Sequence, residues 1–560
     1  MALKKSWHFA VPSEISLVHQ LSKKFQLSSL VASILIRRGY SSEESVQSFL
    51  YPQLSELRDP YEMRNMKEGV DMLKQAILSQ NRIVILGDYD VDGITATAMA
   101  MMFLKSCGSQ NCDYFIPNRF EHGYGLTQAS AEVLKKMNPE LVITVDNGIT
   151  ASEEVQYLHQ NGIKTLITDH HLAETSLIPD GIVINPNHPE CNYPFKGISG
   201  CGVVLKLLMA MRKAFREIDF WSDKRPEPNL KSYLDLTALG TVADVVPLID
   251  ENRLLVHHGL KVMNSHPRFG IQALSQLKNV SLIDSQTLGF QFGPLLNAAG
   301  RMQNASLGVE LLLCQELETA KTIAGHLNQA NIERRETESQ MMEIAVEKAA
   351  SLQHKYGLVI QSPHFHEGII GIIAARLVER FYKPALVCAK NGNHYKCSAR
   401  SIPGFHIKEA LQKCADSLEK YGGHAGAAGC TLEHSRFNEF VESFETACRE
   451  QIPSISQAQV TIEETLPIES IDWNLIEQLE QLQPFGEANP IPLFSIPAPQ
   501  QSFQILKDKH IKWNIPGKEI IGWNLAESFS DSIPKTLAVE LGINEFMGQR
   551  KIQMIIQEYQ

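Results

Sequence analysis

The chain has 560 residues, 44% hydrophobic and 21% charged, with a formal net charge of -11 at pH 7, a length that at roughly 100–200 residues per domain holds several packed cores. No run approaches the about 18 uncharged apolar residues of a membrane span, and the start MALKKSWHFAVPSE lacks an apolar signal core, so a cytoplasmic protein with no membrane association is expected. The acidic balance argues mildly against a phosphate-backbone partner, although carboxylates that hold cations are neutralised and a basic groove can form locally on an acidic protein.

Residues 1–70, including IRRGYSSEESVQSFLYP, read as an amphipathic helical segment with a packing role. From Ile83 the chain alternates short apolar runs with helical stretches: IVILG, TATAMAMMFLKS, CDYFIP, LVITVD, SEEVQYLHQNG and IKTLITD. That alternation predicts an α/β domain on a parallel sheet over residues 71–315. Residues 316–355 contain glycine only at Gly325 and predict a long connector helix. A second α/β unit, 356–452, follows with strand GLVIQ, helix IIGIIAARLVERF, strand PALVCAK and the glycine-rich GGHAGAAG. Residues 453–560 turn β-branched and turn-rich, with PFGEANPIPLF and a final strand pair around Phe546-Met547-Gly548, and predict a small β-barrel. The ten cysteines form no CxxC pair and read as reduced thiols.

Acidic or histidine residues end three of the apolar runs, at Asp88, Asp146 and Asp169-His170, where open α/β sheets place their sites. GDYDVDG sets Asp88, Asp90 and Asp92 at alternate positions, and hard divalent cations want such clustered oxygen ligands. A calcium loop starting at Asp88 would need a bidentate Glu where Met99 stands, which leaves a solvated acidic turn or a catalytic metal site. Asp146 in LVITVD and Asp244 in LGTVADVVPL sit in stretches apolar enough that a lone carboxylate is costly without a cation. In TDHH, adjacent His170 and His171 can divide two roles, one toward a metal and one toward a phosphate.

GDYDVDG, TVDNGI, TDHH and LGTVADVVPL, in that order, resemble the four motifs of the DHH phosphoesterase superfamily. The resemblance implies that Asp90, Asp92, Asp146, His170 and Asp244 hold two Mn²⁺ or Mg²⁺ ions. Asp146 would bridge, Asp88 would be a ligand or lie next to one, and His171 would face the substrate. Two such cations activate a water for attack on phosphorus and stabilise the attacking and leaving oxygens; carboxylates favour Mg²⁺ or Mn²⁺, and the histidine shifts the preference toward Mn²⁺.

PNRFEHGYGL, FGPLLNAAGRM, FHEGIIGIIAARL, KCSARSIPGFH and GGHAGAAG resemble segments of the RecJ exonucleases within that superfamily, and LQPFGEANPIPLF and AVELGINEFMGQRKIQMII resemble their oligonucleotide-binding (OB) barrel. What this implies is a single-stranded-DNA-specific 5′→3′ exonuclease in recombination and repair, acting as a monomer alongside single-strand-binding protein and a RecQ-type helicase. Guanidinium forks and hydroxyls suit a terminal phosphate, so Arg119, Arg301, Ser398 and Arg400 are the expected captors of the DNA 5′ end. His424 contacts a phosphate or closes a turn, and Tyr124 and Phe120 stack bases or pack the core. The chain departs from the RecJ pattern at Leu295 (usually Arg), Phe365 (Trp), Cys397 and Ala399 (glycines) and Gln303-Asn304 (an acidic pair), none of them in the metal motifs. A small-nucleotide phosphodiesterase or pyrophosphatase would lack the long helix and barrel, and an inactive DNA-binding scaffold would have lost metal ligands.

Overall fold

The computed structural model describes residues 5–172, 174–302, 305–452, 458–529, 533–546 and 548–560; Gln303, Asn304 and Met547 lie outside them. The chain divides into two units. The first is Ser13–Asn331 with Glu477–Ile491, and the second is Met1–Pro12 with Ile332–Ile476 and Pro492–Gln560. The division falls inside the helix Leu317–Ser351, whose 35 residues span about 52 Å at helical rise.

Strand β1 (Ser6–Phe9) opens the described chain and belongs to the second unit, where a wholly helical N-terminus was expected. Four short helices follow in the first unit: α1 (Ile15–Phe25), α2 (Ser29–Arg37), α3 (Glu43–Leu50) and α4 (Met66–Leu78). Serines start two of them, Ser28 accepting from the Val31 amide and Ser42 forming a capping box with Ser45, which satisfies amides that a helix start leaves unpaired.

Alternating strands and helices then build the layer that positions the site: β2 (Ile83–Leu86), α5 (Val91–Ser106), β3 (Cys112–Phe115), α6 (Gln128–Met137), β4 (Leu141–Val145), α7 (Ser152–Gln160), β5 (Lys164–Thr168) and β6 (Ile182–Ile184). The strands form one parallel sheet in the order β3-β2-β4-β5-β6. Both faces are covered, which is why IVIL and LVITV are buried at every position and not at alternate ones. The chain leaves β2 for β3 on one side and continues with β4 on the other, so the strand order reverses between β2 and β4, and a crevice opens at their carboxyl ends.

Helix α5 is buried on nearly every side, as a helix sunk in a core is, and apolar residues fall all round its circumference. It packs against α8 (Gly200–Arg216) and α9 (Leu234–Ala243), and α9 against α10 (Asp250–Ser265). Phe103 of α5 is fully buried, and truncating such a side chain to Ala costs about 3–5 kcal/mol.

The segment Glu477–Ile491 groups with this first unit, although PFGEANPIPLF was expected in the C-terminal barrel. Its backbone explains why. Buried Arg253 donates to the carbonyls of Leu482 (3.1 Å) and Gln483 (2.7 Å), Arg38 to that of Pro490 (2.7 Å), and the Leu248 amide to that of Glu487 (2.8 Å).

The second unit holds a five-stranded sheet of β7 (Leu358–Ser362), β8 (Ala385–Asn391), β9 (His394–Arg400), β10 (Lys420–Gly423) and β11 (Ala427–Glu433), in the order β10-β11-β9-β8-β7. The helix Ile370–Phe381 packs on β8 and β9. Strand β12 (Gln459–Ile462) pairs in parallel with β1. The tail adds β13 (Glu464–Thr465), β14 (Leu493–Pro497), β15 (Gln504–Leu506), β16 (His510–Ile515), β17 (Lys518–Gly522), β18 (Thr536–Phe546) and β19 (Gln549–Tyr559), a largely antiparallel sheet ordered β13-β14-β18-β19-β17-β16-β15. All ten cysteines are free thiols. Among the described residues no helix is long and apolar enough to cross a membrane.

Candidate metal centre

The carboxylates lie where backbone geometry sends them. Asp88 leaves the end of β2 two residues after Leu86; Asp90 caps α5 by accepting from the Gly93 amide at 3.1 Å. Asp92 sits in the first turn of α5, fully buried, and accepts the first two amides of α8, Gly200 N at 2.6 Å and Cys201 N at 2.9 Å, a placement that the positive end of the α8 dipole favours. Asp146 follows β4 directly in the left-handed region, φ +65°. Asp244 caps the C-terminus of α9, and Val245 after it also has positive φ.

Two glycines leave room for these side chains. A Cβ at Gly200 would stand 2.3 Å from Asp146 Oδ1, and one at Gly93 would stand 2.6 Å from the Asp88 amide nitrogen. Neither position admits a larger residue without displacing a carboxylate or its loop.

The predicted ligands converge. Asp88, Asp90 and Asp146 form one group with ligand atoms mutually within 4.8 Å; Asp146, His170 and His171 form a second, and Asp92, His170 and Asp244 a third. His170 Nε2 lies 3.2 Å from Asp146 Oδ1 and 3.5 Å from Asp244 Oδ2. Both oxygens of Asp88, Oδ1 of Asp146 and Nε2 of His170 are buried with no hydrogen-bond partner. Burial, and then the charge of neighbouring aspartates, pushes the Asp88, Asp146 and Asp244 carboxyls well above the usual carboxylate range, and Asp90 upward too. Burial, and then the neighbouring His171, pushes the His170 imidazole down, toward the neutral form that ligates metals. Lone pairs crowded together out of water are costly without a cation between them. Oxygen donors with one imidazole fit Mn²⁺ or Mg²⁺.

Asp169 has a different task, which its position beside two histidines does not disclose. Its Oδ1 accepts from the amides of His170 (2.7 Å) and His171 (3.1 Å) and meets His171 Nδ1 at 2.8 Å; its Oδ2 accepts from the Ile149 amide at 2.9 Å. Burial alone would raise this carboxyl, but the His171 ring and these donors hold it down at about 2. The same pairing lifts His171 to about 9 against the effect of burial. Asp169 therefore orients His171 and holds the loop. Asn185 and Asn187 complete the support by donating to the carbonyls of His171 (3.0 Å) and His170 (2.6 Å). Sequence reasoning missed both; the only signal was the Asn-Pro-Asn run after β6.

Tyr124 and Arg119 stand beside the cluster. The Tyr124 hydroxyl lies 3.3 Å from His171 Nε2, and although its ring is half exposed, burial of the hydroxyl, and then Asp88 and Asp146, pushes it well above its ordinary value. Arg119 stacks over the Tyr89 ring at 5.0 Å, and Tyr89 meets Tyr124 edge to face. Arg301 lies on the helix Gly293–Met302, which touches the same loop: Asn297 Oδ1 accepts from the Val91 amide at 3.2 Å, and Gly300 abuts the Tyr89 carbonyl. Phe120 is partly buried in a turn held by Asn118, 2.9 Å from its amide. Leu295 and Phe365 are buried apolar side chains.

Ser398, Arg400 and His424 belong to the second unit. Arg400 Nη1 donates to Ser398 Oγ at 3.1 Å and to the Ala399 carbonyl at 2.9 Å, at the end of β9. His424 is exposed in the β10–β11 turn, its amide donating to the Ala427 carbonyl at 2.8 Å.

Comparison with known proteins agrees with this geometry. Residues 82–241 match the DHH family N-terminal domain, 354–450 the DHHA1 domain and 462–558 the RecJ OB domain. The single-stranded-DNA-specific exonuclease RecJ of Dickeya dadantii is 36% identical over 95% of this chain and 96% of its own length. This chain belongs to the RecJ family. The crystal structure of RecJ from Thermus thermophilus in complex with Mn²⁺ superposes with a TM-score of 0.84 at 26% identity, covering 99% of this chain and 79% of that one. Its complex with Mg²⁺ gives 0.78 at 25% identity, covering 99% and 78%. The ions in those two RecJ structures are the pair that the donor set here favours. RecJ membership also gives the parts of the fold their identity: a DHH domain on the parallel sheet, a DHHA1 domain on the mixed sheet and an OB domain on the tail strands.

Proposed function

We propose that this chain is a metal-dependent exodeoxyribonuclease that hydrolyses single-stranded DNA stepwise from the 5′ end, in recombination and repair. The convergence of Asp88, Asp90, Asp92, Asp146, His170, His171 and Asp244, with four of their buried donor atoms making no hydrogen bond, carries the reading. Relatives named as single-stranded-DNA-specific exonucleases over nearly the full chain support the substrate. Asp146 belongs to both the Asp88–Asp90 group and the His170 group, the position of a bridging ligand. When bound, two such cations polarise the phosphoryl oxygens and ready a water for in-line attack.

The chain's own residues do the positioning. Asp92, tied to two α8 amides, and His170, held by its carbonyl and by Asp169, fix the geometry of the ligand set. Asp169 takes one edge of His171, so that Nε2 is turned toward Tyr124 and the substrate side. Arg119, Arg301, Ser398, Arg400 and His424 bind strand phosphates, and Tyr124 offers a ring face that accepts any base. The reading extends to a cytoplasmic monomer working on strands that a RecQ-type helicase exposes and single-strand-binding protein covers, because degradation must displace that cover.

Matched single- and double-stranded oligonucleotides, labelled separately at the 5′ and 3′ ends, test it with Mn²⁺ or EDTA, using wild type and Asp146→Ala. Stepwise loss from the 5′ end of single strands, abolished by EDTA and by the substitution, is the expected result. Activity confined to di- or trinucleotides would replace the substrate, and tight DNA binding without metal-dependent cleavage would make the protein a scaffold.

A further inference from the structure

Next to Asp244 the catalytic unit holds apolar side chains out in water. Val245, which follows Asp244 directly, is 66% exposed and has φ +59°, a left-handed conformation that β-branched residues rarely adopt. Phe290 is 76% exposed, the highest value among the large hydrophobic residues described. It sits in a π-helical turn, Leu288–Phe292, a rare geometry frequent at functional sites. Leu288 and Phe292 at the two ends of the turn are fully buried, so Phe290 is held outward on an anchored frame.

That frame is seated on the end of α9 that delivers Asp244. A Cβ at Gly289 would lie 3.6 Å from Val242 Cγ1, and one at Gly293 would lie 3.6 Å from the Ala243 Cβ. Val242 and Ala243 are themselves partly exposed. The turn that carries Phe290 thus rests on the end of α9 from which Val245 and Asp244 emerge, so both exposed apolar side chains are attached to the element that delivers this carboxylate. Exposed apolar surface that borders a polar site marks a binding surface.

We propose that Phe290 and Val245 form a shelf for the nucleobase of a strand whose phosphate lies at the metal centre. This rests on the exonuclease reading above. The occupant follows from continuity with the ligand set and from the substrate's chemistry: single strands present unstacked bases, and an apolar or aromatic face takes any of them without reading sequence. Leu172, 64% exposed and next to His171, gives the His171 side of the centre the same character.

Steady-state degradation of an ordinary oligonucleotide and of one with abasic 5′-terminal nucleotides, by wild type, Phe290→Ala, Phe290→Trp and Val245→Ser with Mn²⁺, tests the shelf. On the ordinary strand Phe290→Ala raises KM on the order of tenfold, with a smaller effect on kcat, and Phe290→Trp restores it. Val245→Ser moves KM the same way by less. On the abasic strand the wild type already has the raised KM, and Phe290→Ala adds nothing to it. Equal losses on both strands would reduce Phe290 to a structural role, and an unchanged KM on the ordinary strand would assign the patch to a protein partner; either overturns the shelf. A wild type that degrades no single strand would sink the exonuclease reading itself, and the shelf with it.

Discussion

At the metal centre four donor atoms are buried without a hydrogen-bond partner, whereas in the second unit Arg400 is partly exposed and bonded to Ser398 Oγ and the Ala399 carbonyl. The first arrangement is one that the protein's own groups do not satisfy, so its stability and its chemistry both depend on cations. The second is content as folded, and a phosphate must compete with bonds already made. Loss of a ligand at the centre therefore removes chemistry, while changes at Arg400 tune affinity.

The sharpest break comes from Asp146→Asn. A neutral amide replaces the carboxylate shared by two of the donor groups, and cleavage of a single strand with Mn²⁺ falls by about 10³-fold or more, several kcal/mol of transition-state stabilisation. The same variant has an opposite signature without metal. In EDTA the wild type holds crowded carboxylates that burial and mutual repulsion destabilise, so neutralising one raises the melting temperature; with Mn²⁺ the order reverses. Melting in the two buffers checks it, and a variant less stable than wild type in both would mean that the carboxylate does not await a cation. Next in size is Gly200→Ala. Its Cβ must push Asp146 aside from 2.3 Å, and a displacement of about 1 Å in a catalytic group costs on the order of 10²-fold in kcat. Excess Mn²⁺ leaves that loss in place if the ligand has moved.

The clustered carboxylates and histidines were legible because parallel strands buried on both faces read as nearly continuous apolar runs, and three of these runs lead into acidic or histidine residues: IVIL before Gly87-Asp88, LVITV before Asp146, LIT before Asp169-His170-His171. Asp244 showed itself as a carboxylate in an apolar stretch. The connector helix showed in the near absence of glycine. What stayed hidden depends on contacts that spacing along the chain does not reveal. Asp169 resembles a ligand until both its oxygens are seen to be occupied by local donors. Four residues near the N-terminus gain strand structure only by pairing with Gln459–Ile462. The segment Glu477–Ile491 leaves its flanking strands because Arg253 and Arg38, more than 220 residues away, take its carbonyls.

Asp169→Asn probes the support around the centre. It keeps the shape and loses the charge that pairs with His171 Nδ1, so kcat falls by about 10–100-fold, the range of outer-shell metal-site partners. Mn²⁺ affinity falls less than with Asp146→Asn, because Asp169 donates no ligand atom. A loss of Mn²⁺ affinity as large as that variant's would make Asp169 a ligand after all.

The smallest effect belongs to Arg400→Lys, and it addresses the other side of the comparison. Gly371 leaves the guanidinium open space: a Cβ there would come within 3.0 Å of Arg400 Nη2 and 3.1 Å of Ser398 Oγ. A planar fork beside a hydroxyl, with no side chain at Gly371 to crowd either, suits the oxygens of a terminal phosphate. Lysine keeps the charge but offers a point donor where the fork gives two parallel bonds. On a 5′-phosphorylated strand KM therefore rises about tenfold, or ~1.4 kcal/mol, while kcat stays near the wild-type value because the metal ligands are untouched. On a 5′-hydroxyl strand wild type and variant have the same KM. A KM difference of equal size on both strands would place Arg400 on an internal phosphate, and no difference on either would leave its hydrogen bonds to Ser398 and Ala399 as purely structural.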